Sequence, residues 1–102
     1  MSEMTTENSI WVFTTPRRPF PGGVFVHLEA AEAWICANRL TGVLTAYPLD
    51  RGVFDWAVEH GLTNLRPDKL EAARANPNPE FIGGFTTASQ EHYHYENGER
   101  LC

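Results

Sequence analysis

The chain has 102 residues, 42% of them hydrophobic and 12% aromatic, and a formal net charge of −5 at neutral pH. That length supports one hydrophobic core, and the acidic balance lacks the basic footprint of a nucleic-acid binder. No apolar run approaches the ~18 residues that a membrane span needs, and no charged-then-apolar leader opens the chain, so the expected setting is the cytoplasm, with no membrane partner.

Residues 1–8 are polar and are expected to be frayed. Ile10-Trp11-Val12-Phe13 is β-branched and aromatic and predicts a strand covered on both faces. Three prolines and two glycines between Thr15 and Gly23 predict a loop, with Arg17 and Arg18 as a basic spot in an acidic protein. Its Pro16–Pro19 spacing is a PxxP, a pattern too short to outweigh a plain connection. Val24-Phe25-Val26 predicts a second strand. From Leu28 to Arg39 the period becomes helical, with Leu28, Ala31, Trp34 and Ile35 on one face and Gly42 as the stop. Cys36 is expected on the buried side of this helix. With Cys102 at the chain end, both cysteines read as thiols of a reducing compartment rather than a disulfide.

Val43 to Tyr47 predicts a third strand ended by Pro48. Asp50 is the expected cap of a second helix running to His60, with Gly61 just beyond it and a core face of Val53, Phe54, Ala57 and Val58. Asp68 to Ala75, between Pro67 and Pro77, predicts a weaker helix facing inward through Leu70 and Ala73. Asn78-Pro79-Glu80 is a helix start. Because Gly83-Gly84 follows so closely, a single turn is expected there. Glu91 to Glu96 alternates and predicts a last strand, with Asn97-Gly98 as the turn signal after it.

This order of elements does not alternate regularly enough for a parallel doubly wound sheet. It predicts an α+β fold: a mostly antiparallel sheet of three or four strands with two or three helices packed on one face. Residues 9–98 form the single domain, and 99–102 are a tail.

The conspicuous cluster is Gln90-Glu91-His92-Tyr93-His94-Tyr95-Glu96. Residues two apart on a strand point the same way, so His92 and His94 can present their imidazoles jointly to a divalent metal, with Glu96 extending that face. No ligand set from elsewhere in the chain completes the site, and His27 and His60 stand alone. Tyr93 and Tyr95, with Glu91 and Gln90, are instead candidates for a protein interface, or they complete the core as large aromatics usually do. No catalytic constellation emerges: Ser89 has no flanking glycines, and Gly22-Gly23 and Gly83-Gly84 lack the Lys-Ser/Thr of a phosphate loop.

Three stretches carry a family likeness: Phe20-Pro21-Gly22-Gly23-Val24-Phe25, then Leu40 to Asp50 leading into Gly52-Val53-Phe54-Asp55-Trp56-Ala57, and Glu80 to Phe85 running on to Gln90–Gly98. With Glu32-Ala33-Trp34-Ile35 between them, they resemble a family of small bacterial proteins classed as a domain of unknown function. The likeness covers about residues 10 to 98. The family has no assigned activity and so lends no residue role and no cofactor; compact proteins of this kind are often suspected of being immunity proteins for bacterial toxins. The functional expectation is therefore a non-enzymatic protein-binding protein, an antidote whose acidic surface meets a basic toxin. The alternative is a metal-binding protein or metal-dependent enzyme using His92 and His94. A third reading is a homodimer contact through Tyr93 and Tyr95.

Overall fold

A computed structural model describes residues 9–63 and 65–101; the readings of residues 1–8 and of Cys102 lie outside them. The chain is α+β. The described residues form, in the order β-β-α-β-α-α-α-β-β, five strands, β1 (Ser9–Thr14), β2 (Gly23–Phe25), β3 (Gly42–Pro48), β4 (His92–Glu96) and β5 (Glu99–Arg100), and four helices. These are α1 (Leu28–Ala37), α2 (Val53–Glu59), α3 (Pro67–Ala75) and α4 (Pro79–Gly83). All strand pairs are antiparallel, in the order β2-β1-β3-β4-β5. The described residues fall into two compact units: those up to Leu49 together with those from Gln90 onward, and the intervening Asp50–Ser89.

The first unit holds the sheet and α1. Alternation along β1 sends Trp11 and Phe13 into the core and leaves Ile10, Val12 and Thr14 half-buried on the other face. Register carries the same side across the sheet. Phe13 lies opposite Leu44 and Leu44 opposite Tyr93, while Gly42 faces Tyr95. Onto this side α1 packs Ala31 and Ile35, which are one turn apart and fully enclosed. Phe25, Leu28 and Trp34 close the margins of the cluster. Trp34 meets Phe13 edge-on at 5.6 Å between centroids and lies 5.3 Å from Phe25. Gly42 has no side chain because none fits: a Cβ there would sit 2.2 Å from the Thr14 carbonyl oxygen and 2.7 Å from the Phe13 ring.

Three features differ from the sequence reading of this unit, the first two being the strand count and the position of Cys36. The sheet has one strand more, because Asn97 (φ 53°) and Gly98 (φ 88°) form a two-residue turn with both residues left-handed. That turn folds Glu99–Arg100, read from sequence as tail, back beside β4. Cys36 is exposed rather than buried, because it lies about 100° round the helix from Ile35.

Helix α1 also stops earlier than Gly42. Its end is a Schellman motif, with the Leu40 N–H donating to the Ile35 carbonyl and the Arg39 N–H to that of Cys36. In the second unit α2 closes in the same way, Leu62 bonding to Ala57 and Gly61 to Val58. The left-handed position is glycine in α2 (Gly61, φ 68°) and arginine in α1 (Arg39, φ 53°). A left-handed residue with a Cβ costs about 1 kcal/mol, so α1 ends at some expense.

Within the second unit, Phe54 is buried on α2 and meets Phe81 and Phe85 edge-on at 5.7 and 5.3 Å. Phe81 and Phe85 are themselves 5.7 Å apart, completing an aromatic triad. The turn α4 is capped as its sequence indicates, Asn78 Oδ1 accepting from the Phe81 N–H at 3.1 Å. Asp50 does not cap α2: it is left-handed (φ 59°), and Gly52 holds the N-cap position with no side-chain bond. Helix α3 buries no residue, in keeping with its thin apolar face.

Candidate functional site

The residues singled out in the sequence, 90 to 96, run along β4 and the residues leading into it. They divide between the two faces of the sheet as their alternation requires. Tyr93 and Tyr95 lie on the side that α1 covers, and His92 and His94 on the other, opposite Thr45 and Val43. Gln90 and Tyr95 are enclosed, at 2% and 3% exposure, so neither is open to a partner. Gln90 is a staple: its Nε2 donates to the Ala46 carbonyl at 3.0 Å, while the Ala46 N–H donates to the carbonyl of Glu91. Glu91 is exposed and Tyr93 half-buried, so these two present the cluster to solvent.

A polar network links β4, β5 and α1. The Tyr95 hydroxyl donates to Glu32 Oε2 at 2.6 Å, and Arg100 Nε and Nη2 donate to the same oxygen, the former at 2.9 Å. Burial pushes the Tyr95 phenol up to about 12, reinforced by its bond to the Glu32 carboxylate. Partial burial alone would raise Glu32. The donors Tyr95 and Arg100, with the Arg100 charge, outweigh it and hold the carboxyl below its usual range. The Arg100 guanidinium also lies 3.9 Å from the Tyr93 ring centroid, a cation–π contact. Tyr93 in turn stacks on Trp11 at 5.8 Å and donates its hydroxyl to Glu91, whose carboxylate, followed by burial, raises the phenol's pKa. Trp11, Tyr93 and Arg100 thus form a layered stack with a carboxylate fixed at either side.

Beside the stack, Trp11, Val26, His27, Leu28, Glu29 and Glu91 line a hollow of about 270 Å³. Its two carboxylates have no ion-pair partner among the described residues. The hollow offers apolar contact to an aliphatic stem, and its two acids offer charge to a cationic head.

On the opposite face, the His92 and His94 rings are 5.5 Å apart and nearly perpendicular. The His92 Nδ1 lies 2.7 Å from the Gln90 carbonyl. A carbonyl only accepts, so Nδ1 carries the proton and Nε2 holds the lone pair of the neutral ring. Glu96 follows on the same side of the strand. Among the described residues no three His, Cys, Asp or Glu side chains come together as a metal site.

The sequence reading missed the carboxylate of Glu32, which lies on α1 more than sixty positions before Tyr95, and Arg100, assigned to a tail. Only the Asn97-Gly98 turn signal pointed to Arg100, by implying a strand on its far side.

Taken together, the antiparallel sheet with its covering helix and this aromatic, carboxylate-flanked surface define a small α+β module. The chain belongs to the family described as a domain of unknown function, DUF7710, which it matches over residues 10–101. No curated protein and no solved structure matches it significantly. No helix among the described residues is long and apolar enough to cross a membrane.

Proposed function

We propose that the chain is a non-enzymatic protein-binding module whose partner is basic, in its narrowest form an immunity protein that masks a cationic toxin in the cytoplasm of a bacterium. The observation that supports this most is the hollow over Trp11 with Glu29 and Glu91 in its lining and no lysine or arginine among the residues that line it. A partner lysine or arginine can lay its stem along Val26 and Leu28 and set its charge between the two acids. The adjoining Tyr93–Arg100 stack is of the residue types that anchor interfaces, and its bonds to Glu32 and Glu91 hold it in place before binding. The net charge of −5 would speed capture of a basic partner.

Calorimetry against basic proteins encoded beside the gene tests this. Binding should weaken at least tenfold in the Glu29→Gln/Glu91→Gln double variant and fall with added salt. Absence of binding, or binding indifferent to both changes, would remove the reading. The metal alternative is supported by the proximity of the two imidazoles on β4, and metal analysis of untagged protein distinguishes it.

A further inference from the structure

At the C-terminal end of α1 a second hollow, of about 370 Å³, opens between that helix and the β1–β2 loop. Phe13, Phe20 and Trp34 supply aromatic walls, and Arg18, Arg39 and Thr41 supply polar groups. This size lies in the range of sites for small molecules, which are mostly apolar with a few convergent polar groups. The charge of the lining runs against that of the whole chain. It includes two arginines and no acid, in a protein whose net charge is −5. Neither guanidinium has an ion-pair partner among the described residues. The Thr41 hydroxyl accepts the Asn97 N–H at 3.0 Å and keeps its own hydrogen to donate. Phe20, 78% exposed beside the opening, leaves one aromatic wall of the hollow accessible from solvent.

The backbone supplies an independent argument. Arg39 stands in the left-handed position of a Schellman motif for which α2 uses Gly61. Glycine would relieve the strain, and the Gly98 turn already packs against the Arg39 Cα, so the backbone position is defined without the arginine side chain. Strain retained beside a cavity is explained when the strained residue's side chain is used there.

We propose that this hollow is a binding site for a small aromatic carboxylic acid of one or two rings. The ring enters between Phe13, Phe20 and Trp34, and the carboxylate is held by the Arg18 and Arg39 guanidiniums, whose fork geometry matches it. The site is separate from the Glu29/Glu91 hollow, so either assignment can fail alone.

The test is titration of the full-length protein with 2-naphthoate, with uncharged 2-naphthamide and a short peptide ending in a free phenylalanine carboxylate as controls. Binding is read by Trp34 side-chain and Thr41 amide shifts in NMR and by calorimetry. Naphthoate should shift those signals and bind at least tenfold more tightly than either control. Arg39→Gly should raise the melting temperature by several degrees while weakening naphthoate at least tenfold. Arg18→Gln, in an exposed loop, should weaken it with no change in melting temperature. Equal binding of the amide, unchanged affinity in both arginine variants, or shifts confined to other residues would each overturn the proposal, and tighter binding of the peptide would replace a small acid with a chain terminus.

Discussion

Replacing Tyr95 with phenylalanine removes one hydroxyl from an enclosed ring and leaves its volume almost unchanged, so the packing against Ile35 and Leu44 should persist. What is lost is the 2.6 Å bond to Glu32. A hydrogen bond to a charged group contributes ~1.5–3 kcal/mol. Glu32 keeps both bonds from Arg100 and its side chain is one-third exposed, so screening and water reduce the expected cost to about 1 kcal/mol. For a domain of this length that lowers the melting temperature by roughly 4–8 °C.

The same variant carries a pH signature that a packing defect would not. The Glu32 pKa is lowered by folding, so its contribution is complete above the unfolded value of ~4.3 and is lost as pH falls through the folded one. The Tyr95 pKa is raised to about 12. Its contribution is complete below the unfolded value of ~10 and is lost as pH climbs through the folded one. Urea denaturation of Tyr95→Phe and wild type at pH 3, pH 7 and pH 11 should therefore show the largest difference at pH 7. A Glu32→Gln/Tyr95→Phe cycle should show coupling between the two positions. An equal difference at pH 3 and pH 7, or none at pH 7, would refute a bond of this kind.

Leu44→Ala should cost about 3 kcal/mol in urea denaturation, because the side chain is fully enclosed where the sheet meets α1 and its removal leaves a cavity. Gly98→Ala should cost about 2 kcal/mol or more, since the residue is left-handed and its new methyl would meet the Arg39 and Cys36 backbone at 3.0–3.2 Å; circular dichroism melting checks it. If His92 and His94 bind zinc, added Zn²⁺ should raise the melting temperature of wild type but not of His92→Ala. Identical melting curves with and without the metal would end that alternative. In a Cys102→Ser background, a thiol reagent should modify Cys36 in the folded protein at once, as its exposure requires.

Local pattern foretold most of the elements. The apolar Ile10–Phe13 run, the helical spacing of Leu28, Ala31 and Ile35, and the Tyr/His alternation of β4 all appear where sequence placed them, with ends shifted by a residue or two. Burial explains this success: each pattern is the record of one face turned toward a core. The failures have different causes. Asp50 looked like a helix cap because Asp favours that position, but the same residue type also tolerates the left-handed turn it occupies. Cys36 was placed inward by its apolar neighbours, although one helical step separates it from the buried face. The network at Tyr95 was only half legible. Alternation showed which way the phenol points, but no periodicity reveals that Glu32 and Arg100 arrive to meet it. Such pairings are set by register and by the angle at which α1 crosses the sheet. The left-handed arginine was invisible too, since sequence predicted a glycine stop at Gly42 and the Schellman bonds of Arg39 and Leu40 close the helix before it.

The pairing of β3 with β4 has a cost in folding time. Strands β4 and β5 close over two residues and β1 and β2 over a modest loop, whereas β1 and β3 meet across residues 15–41, and Ala46 and Glu91 find each other across the forty residues of Asp50–Ser89. Joining ends that far apart is entropically dearer than closing a four-residue turn by about 2 kcal/mol, a cost set against the β3–β4 ladder and the Gln90 bond to Ala46. Pairing across these two long connections, rather than formation of either hairpin, is the expected slow step of folding.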